Sequence, residues 1–159
     1  MAKELKTNAA RLLDKAAIAY SLNSYEVDEN DLSAVHVAEQ LGVDASLLFK
    51  TLVLRGERNG VFVCVIQGNA EVDLKKAAKV SGDKKVDLIA MKELLPLTGY
   101  IRGGCSPIGM KKRFPTYIDS SALDYPEIYI SAGIRGLQIK IAPDNLICFL
   151  GAVAADLHL

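Results

Sequence analysis

The sequence predicts an α/β protein of the α+β kind, in which helices surround a mixed, barrel-like β-sheet. In the first half of the chain, apolar residues at helical spacing alternate with short apolar runs, which indicates alternating helices and strands. In the second half, short apolar runs separated by turn residues dominate, which indicates mainly strands. This order favours a mixed sheet over a doubly wound parallel sheet.

The composition favours one domain with its own core. The chain has 159 residues, of which 50% are hydrophobic, and it contains no internal repeat, low-complexity segment or linker. A chain of this size can bury a core without metal or disulfide bonds, so we expect a single domain over residues 1–159. The formal net charge is zero, so a nucleic acid or membrane would have to bind to a local patch.

The cysteines and the N-terminal residues carry no sign of a metal site or an export signal. Cys64, Cys105 and Cys148 lack C-x-x-C spacing and neighbouring histidines, which disfavours a metal centre or a disulfide framework. Residues 1–6 include three charged side chains, and the apolar segment typical of a signal peptide does not follow them. The most apolar run, 61–66, is too short to span a bilayer. We therefore expect a cytoplasmic protein without a membrane partner.

Periodicity and capping residues predict the elements of the first half in order. The first helix begins at Asn8, its expected N-cap, and a short strand follows at 24–27. Ser33 caps the second helix and Gly42 ends it. Further along we expect a turn at 44–48, strands at 50–54 and 61–66 joined by a hairpin at 56–60, and a helix at 73–80. The two hairpin strands are almost entirely apolar, which predicts burial on both faces.

The second half is predicted to contain mostly strands. A short helix at 91–95 is expected to end before Pro96, and a last helix is expected to begin at Pro143. Between them we expect strands at 114–119, 127–131 and 137–142, with turns at 120–126 and 132–136.

Residues 99–113, which we call the Gly-rich loop, form the most specialised stretch of the chain. They contain four glycines, a proline and three consecutive cations. Glycine lets the main chain approach a ligand closely and offer N–H groups to an oxygen atom. The loop therefore indicates a cradle for a carbonyl or phosphate group, although a long turn that ends in a solvated basic run fits equally well.

The sequence contains no arrangement typical of a catalytic histidine. The most unusual polar residue is a lysine that lies between apolar residues. The two histidines, His36 and His158, are not placed for a Ser-His-Asp or Cys-His arrangement. No H-E-x-x-H motif or cluster of ligands indicates a metal, so we expect no cofactor. Lys50 lies between apolar residues, where an unpaired ammonium is costly unless it points into a cavity or reaches water at a strand end.

A second small-residue turn and a set of cations complete the candidates. Arg135 lies in the turn at 131–136 and could bind a planar anion. The G-x-x-G pattern of this turn resembles the clamp of a KH domain, but it joins strands here, which argues against that reading. Eight cations could line a phosphate track or form a solvated surface: Lys75, Lys76, Lys79, Lys84, Lys85, Lys111, Lys112 and Arg113.

Four separate motifs follow the order seen in one protein family. They are Phe-Lys-Thr-Leu at 49–52, Val-Asp-Leu-Lys-Lys at 72–76, the Thr-Gly-Tyr to Ser-Pro segment at 98–107, and the Ile-Tyr-Ile-Ser to Arg-Gly-Leu segment at 128–137. On these motifs the chain resembles the YbaK/EbsC family of aminoacyl-tRNA deacylases, and several motifs in register are more specific than one glycine loop. The resemblance implies a barrel-like sheet similar to the editing domain of bacterial prolyl-tRNA synthetases.

The resemblance also implies an activity and its partners. Members of the family hydrolyse, in trans, the ester between a wrong amino acid and the acceptor end of tRNA, without a cofactor. YbaK-type members act on cysteine attached to tRNA(Pro), and the substrate thiol attacks its own ester. Such editing is needed because a binding site separates similar small side chains by only ~1–3 kcal/mol. Mischarged tRNA is thus the implied substrate, with prolyl-tRNA synthetase as a candidate partner.

The resemblance assigns roles to particular residues. Lys50 matches the essential lysine, and the amides of Gly103 and Gly104 would stabilise the oxyanion of the ester. The remaining implied substrate-binding residues are Tyr25, Thr51, Ser106, Ser131 and Arg135. The implied tRNA-binding residues are Lys75, Lys76, Lys79, Lys111, Lys112 and Arg113.

Two departures from the family pattern leave the substrate open. Gln138 stands where the family often has an acidic residue, and Cys105 stands where an aliphatic residue is usual. One hypothesis is that the Cys105 thiol faces the site and contributes directly, although a small buried residue fits equally well. Deacylation of another substrate such as Ala-tRNA(Pro) by water, and a non-catalytic module that binds tRNA or a synthetase, remain alternatives.

Overall fold

The computed structural model of the protein describes residues 6–159, and within them eight strands and five α-helices are present. The strands are β1 Ser21–Ser24, β2 Phe49–Gly56, β3 Gly60–Gln67, β4 Val86–Leu88, β5 Thr116–Asp119, β6 Ile128–Ser131, β7 Leu137–Ile141 and β8 Val153–Ala155. The helices are α1 Asn8–Lys15, α2 Ala34–Leu41, α3 Leu74–Ser81, α4 Leu94–Thr98 and α5 Pro143–Leu150. Short 3₁₀ turns cover Ala45–Leu47, Met91–Glu93 and Ser120–Asp124.

The strands form two sheets, and the prediction of a mixed α+β fold is confirmed. One sheet is antiparallel, in the order β1-β7-β6, and the other has the order β4-β2-β3-β5-β8 with parallel pairs at β3-β5 and β5-β8. The predicted barrel is wrong, because neither sheet closes within the described chain. The larger sheet ends on β4 and β8, which have three residues each and do not pair with each other. A parallel bridge between Leu48 and Tyr129 joins the two sheets.

Most helix ends follow the local sequence. The Ser33 side chain accepts a hydrogen bond from the His36 amide, and Gly42 ends α2 in the left-handed conformation. The prediction that Asn8 caps the first helix is wrong. Asn8 is the first helical residue, and Thr7 is the cap, since its hydroxyl accepts a bond from the Ala10 amide.

Several other boundaries differ from the prediction for tertiary reasons. The first strand lies at Ser21–Ser24 rather than 24–27, because these residues pair with β7. Pro96 lies inside α4 rather than beyond its end, at a position in the first turn where a missing N–H costs nothing. The predicted turn at 120–126 is largely a 3₁₀ helix. The short edge strands β4 and β8 had no signal in the sequence.

β3 is the central strand of the core. Its alternate residues pack into two clusters, with Val63 and Val65 in one and Phe62, Cys64 and Ile66 in the other. The prediction of burial on both faces is therefore confirmed for β3. It is wrong for the first half of β2, where residues 50–52 are half-buried. That half of β2 lines a cavity, described below.

The N-terminal residues used to argue against a targeting segment lie mostly outside the described residues, which begin at 6. Among the described helices, none has the length and apolarity needed to cross a lipid bilayer.

A buried carboxylate attaches the C-terminal segment to β5. Asp119, 1% exposed, accepts hydrogen bonds from the Leu157 amide (2.9 Å), the His158 ring (2.9 Å) and the Ser121 amide (3.2 Å). Burial by itself would raise the pKa of this carboxyl group, but the hydrogen bonds outweigh burial and hold the pKa below its usual value. The ionised form is therefore part of the folded structure.

Asp119→Asn is expected to lower the free energy of unfolding by about 1–3 kcal/mol at pH 7, since it leaves buried donors poorly paired. A carboxyl whose pKa is lowered by folding stabilises the protein above the unfolded pKa of about 3.9, and this contribution is lost as the pH falls through the lower folded value. Urea denaturation should therefore show the variant and wild type converging below about pH 4. Asp124→Asn, at an exposed position, is the control, and equal stability of Asp119→Asn and wild type at pH 7 would contradict the prediction.

Candidate functional site

A cavity of about 410 Å³ lies between β2, the start of α2 and the Gly-rich loop. Most of its lining is apolar, and the titratable side chains that line it are Lys50, Arg102 and Cys105. The cavity brings together residues from seven separate parts of the chain. Those expected from the sequence to be near the substrate are Lys50, Thr51, Gly103, Cys105, Ser131 and Gln138.

Lys50 enters this cavity from the second position of β2. Its ammonium donates a hydrogen bond to the carbonyl oxygen of Gly68 (3.3 Å), the residue that follows β3. An ammonium has three N–H donors, so two remain for a ligand. Burial lowers the pKa of Lys50, and the negative charge of Glu71 partly opposes this change. Lys50 is thus a half-buried cation held by one neutral acceptor.

Two oxygen atoms in the cavity wall are buried without a hydrogen-bond partner among residues 6–159. They are the hydroxyl of Thr51 and the side-chain carbonyl of Gln138, a residue that is 4% exposed. An unpaired buried polar atom costs about 1–3 kcal/mol, and a ligand with matching donors would remove this cost. Ser131 also lines the cavity, and its hydroxyl accepts a bond from the Gly133 amide (3.1 Å), which shapes the turn.

The two central glycines of the Gly-rich loop have different roles. Gly103 forms part of the cavity wall, with φ +84°. Gly104 is buried beneath it, and a Cβ there would lie 3.2 Å from the Cα of Ile134. The Gly104 amide donates to the carbonyl of Ile101 (2.9 Å), so this N–H group is already paired within the loop. Gly104 instead allows the loop to pack against the second turn.

Arg135 and Ser106 stabilise the Gly-rich loop and do not line the cavity. The Nε of Arg135 donates to the carbonyl of Arg102 (2.8 Å). Ser106 is fully buried, and its hydroxyl accepts a bond from the Ile108 amide (3.2 Å). Both were expected to bind substrate, but their described contacts are within the protein.

Tyr25 lies in an adjoining cleft. This cleft shares Leu32, Val37 and Gly103 with the main cavity. The Tyr25 amide donates to the carbonyl of Gly136 (2.9 Å), which places it beside the second turn. The residue is therefore next to the site but outside the main lining.

The cations expected to bind tRNA lie outside the main cavity. Lys75, Lys76 and Lys79 are on α3, where Lys76 donates to Asp156 (2.9 Å) and to the carbonyl of His158 (2.8 Å). The second group follows the Gly-rich loop and comprises Lys111, Lys112 and Arg113, of which Lys112 and Arg113 line a second cavity.

The sequence from residue 28 to residue 149 matches the family model of the aminoacyl-tRNA editing domain. The chain belongs to this family. The family resemblance and the fold class expected from the sequence are therefore confirmed.

Two relatives and one solved structure are similar to this editing domain. It is 48% identical over 152 residues to an Enterococcus faecalis protein named "Putative Cys-tRNA(Pro)/Cys-tRNA(Cys) deacylase EbsC", a match that covers 96% of this chain and 93% of the relative. It is 26% identical to the proline–tRNA ligase of Brachyspira hyodysenteriae, across 80% of this chain and 22% of the ligase. A crystal structure described as "a putative trans-editing enzyme for prolyl tRNA synthetase" superposes with a TM-score of 0.82 at 26% identity, covering 96% of this chain and 98% of that chain.

Gly68, like Arg102, lines the cavity of this editing domain and was not among the site residues predicted from the sequence. Its carbonyl is the partner of Lys50, and a Cβ at Gly68 would lie 2.8 Å from the Cβ of Ala34 and 3.0 Å from the carbonyl oxygen of Leu48. The sequence shows only an isolated glycine after an apolar strand, which predicts a turn. Its contact with α2 becomes visible only in the folded chain.

Proposed function

We propose that this editing domain deacylates Cys-tRNA(Pro), and that the substrate's own thiol is the nucleophile. The observation that carries the proposal is the set of titratable groups in the described cavity lining. Lys50 and Arg102 provide positive charge, while burial raises the pKa of the Cys105 thiol to about 12. The described lining contains no histidine or carboxylate, the side chains that most often remove a proton from water at neutral pH. A cysteinyl ester carries its own nucleophile to such a site.

The reaction begins when the thiol sulfur of the bound cysteinyl group attacks the ester carbonyl carbon. A carbon–sulfur bond forms and the carbon–oxygen bond to the ribose breaks, while the proton of the thiol passes to the released ribose oxygen. The products are free tRNA and a cyclic thiolactone, which water opens to cysteine. Attack within one molecule is fast once the reacting atoms are aligned, so the protein needs mainly to position them.

The charge that develops on the carbonyl oxygen is stabilised by Lys50 and by the Gly103 amide. Lys50 has two free N–H donors, and the Gly103 amide makes no backbone hydrogen bond in the described chain. Gly104 holds the loop in place, because its backbone packs against Ile134 and its amide donates to the Ile101 carbonyl. The unpaired oxygens of Thr51 and Gln138 accept hydrogen bonds from the α-ammonium group of the substrate.

The partner of this site is the acceptor end of mischarged tRNA, and the whole chain acts as one editing domain. The name of the Enterococcus faecalis relative and the description of the trans-editing structure support a link to cysteine, tRNA(Pro) and prolyl-tRNA synthetase. The cations of α3 and of residues 111–113 supply the contacts to tRNA phosphates.

The test is release of labelled amino acid from four substrates at equal enzyme concentration: Cys-tRNA(Pro), Ser-tRNA(Pro), Ala-tRNA(Pro) and Cys-tRNA(Cys). Seryl and cysteinyl groups differ in one atom, so fast release of cysteine with no release of serine supports attack by the substrate thiol. Release of alanine or serine would instead require an activated water and would favour the water-based alternative. Binding of tRNA without release of any amino acid would favour the non-catalytic module.

Cys105→Ala is expected to keep kcat for Cys-tRNA(Pro) within about threefold of wild type, because a thiol whose pKa is about 12 is protonated at neutral pH and is a poor nucleophile. Burial is the main cause of the raised pKa, and a hydrogen bond with Thr98 opposes it only in part. Single-turnover deacylation at pH 7 measures the effect. A loss of more than about tenfold in a folded variant would support the hypothesis that Cys105 contributes directly.

A further inference from the structure

A second cavity, of about 280 Å³, lies at the other end of the Gly-rich loop. Its walls come from Leu12 of α1, from the end of α5 and from loop residues between 107 and 114. The lining of the main cavity includes Cys105, and that of the second cavity includes Pro107. Two residues of extended chain span about 7 Å at most, so the Cα atoms of these two lining residues lie within about 7 Å of each other along one short stretch of backbone.

The lining of the second cavity combines aromatic rings with positive charge. Phe114 and Phe149 are both half-buried, so part of each ring is accessible. The charged side chains in the lining are Lys112 and Arg113, and both are cations. Aromatic faces beside cations are the combination that binds unpaired nucleotides, since the base stacks on a ring and the phosphate pairs with the cation.

The two cations of this cavity have different surroundings. Arg113 donates from Nη2 to the carbonyl of Leu150 (3.2 Å), at the C-terminal end of α5, and is thereby part of the wall. Lys112 is exposed and has no hydrogen bond or ion pair among the described residues. Lys112 is therefore the cation that is available to a phosphate.

We propose that the second cavity binds the unpaired nucleotide that precedes the esterified terminal nucleoside of tRNA. The base packs on Phe114 and Phe149, and Lys112 contacts the phosphate that joins the two nucleotides. The inference rests on the proposed function, because it takes the acceptor end of tRNA as the ligand, and it adds a nucleotide site separate from the cavity that holds the ester. The positive lining and the short backbone separation carry it.

Binding of an uncharged RNA hairpin that ends in unpaired CCA tests this site without any chemistry. Fluorescence anisotropy at fixed salt should show that Lys112→Ala and Phe114→Leu each weaken binding about tenfold. Phe114→Tyr keeps an aromatic ring and should bind as wild type does. Lys92→Ala removes an exposed lysine that lines neither cavity and lies outside the candidate phosphate track, and it is the control for lost charge. Lys112→Ala should also reduce the salt slope by about 0.7.

Turnover provides a second readout. The ratio of KM for Cys-tRNA(Pro) to KM for cysteinyl-adenosine, which lacks the preceding nucleotide, should rise about tenfold in Lys112→Ala and Phe114→Leu. If wild type releases no cysteine, but Lys112→Ala and Phe114→Leu bind the hairpin more weakly than wild type does, the proposed function fails and the nucleotide site stands. If Phe114→Leu binds the hairpin as wild type does, or if free CMP binds as tightly as the hairpin, the site is not one for the tRNA end and the proposal is overturned.

Discussion

Replacing Lys50 with methionine is expected to lower kcat/KM for Cys-tRNA(Pro) by about 10²–10³-fold, the loss typical of removing one donor to a developing oxyanion. The ammonium is held in the cavity wall by the Gly68 carbonyl and keeps two N–H donors for the substrate. Methionine has a similar length and fills the same volume without a charge. The change therefore removes the donor and leaves the packing around it.

Folding of Lys50→Met should not suffer, since a half-buried ammonium without an ion pair is replaced by an apolar group. Circular dichroism and urea denaturation verify this before the kinetics are compared. Lys92→Met is the control, because Lys92 is exposed, close in sequence to the cavity wall and absent from the lining. More than about a tenth of wild-type activity in folded Lys50→Met would refute a role for this ammonium in stabilising the oxyanion.

The pH dependence of kcat/KM also tests the role of the Lys50 ammonium, because the direction of its pKa change predicts where activity is lost. Burial lowers the pKa of Lys50, so the ammonium loses its proton at a lower pH than an exposed lysine, whose pKa is about 10.4. Wild-type kcat/KM should therefore decline at the alkaline end of the profile, below the range usual for lysine. Lys50→Met should lack that decline, and an unchanged alkaline limb in the variant would assign it to another group.

Gly68→Ala should damage both stability and activity. An added Cβ would lie 2.8 Å from the Ala34 Cβ at the start of α2 and 3.0 Å from the Leu48 carbonyl oxygen, so the backbone must move. Overpacking of this kind costs about 1–3 kcal/mol of folding free energy. The same movement displaces the carbonyl that holds Lys50, and a misplacement of about 1 Å can lower the rate about 10²-fold.

Gly60→Ala separates these two effects. Gly60 is the first residue of β3, where the hairpin turn from β2 ends. Its φ is +78° and nothing lies within 4 Å of an added Cβ, so alanine there is strained but meets no neighbour. It should destabilise the protein by about 1–2 kcal/mol and leave kcat/KM of the folded enzyme unchanged. Urea denaturation and single-turnover deacylation of both variants measure the comparison. Equal activity losses in the two variants would mean that instability alone explains the effect of Gly68→Ala.

Local chemistry in the sequence determined both ends of α2 and the central hairpin. Ser33 and Gly42 bound α2 through contacts within four residues, and the β2–β3 hairpin pairs strands that are adjacent in the chain. Such features depend on near neighbours and can be read without the fold. The motif around Lys50 and the Gly-rich loop likewise indicated the aminoacyl-tRNA editing family, and the match over residues 28–149 confirms this.

The arrangement of the site was decided by contacts between residues far apart in the chain. The partner of Lys50 is the carbonyl of Gly68, whose backbone meets α2 at Ala34, and Gly104 packs against Ile134 in the turn at 131–136. The open sheets, with β4 and β8 at the edges, depend on pairing across the whole chain. Residue pattern specifies which groups are available, but only the packing of distant segments fixes which polar atoms are paired and which remain for a substrate.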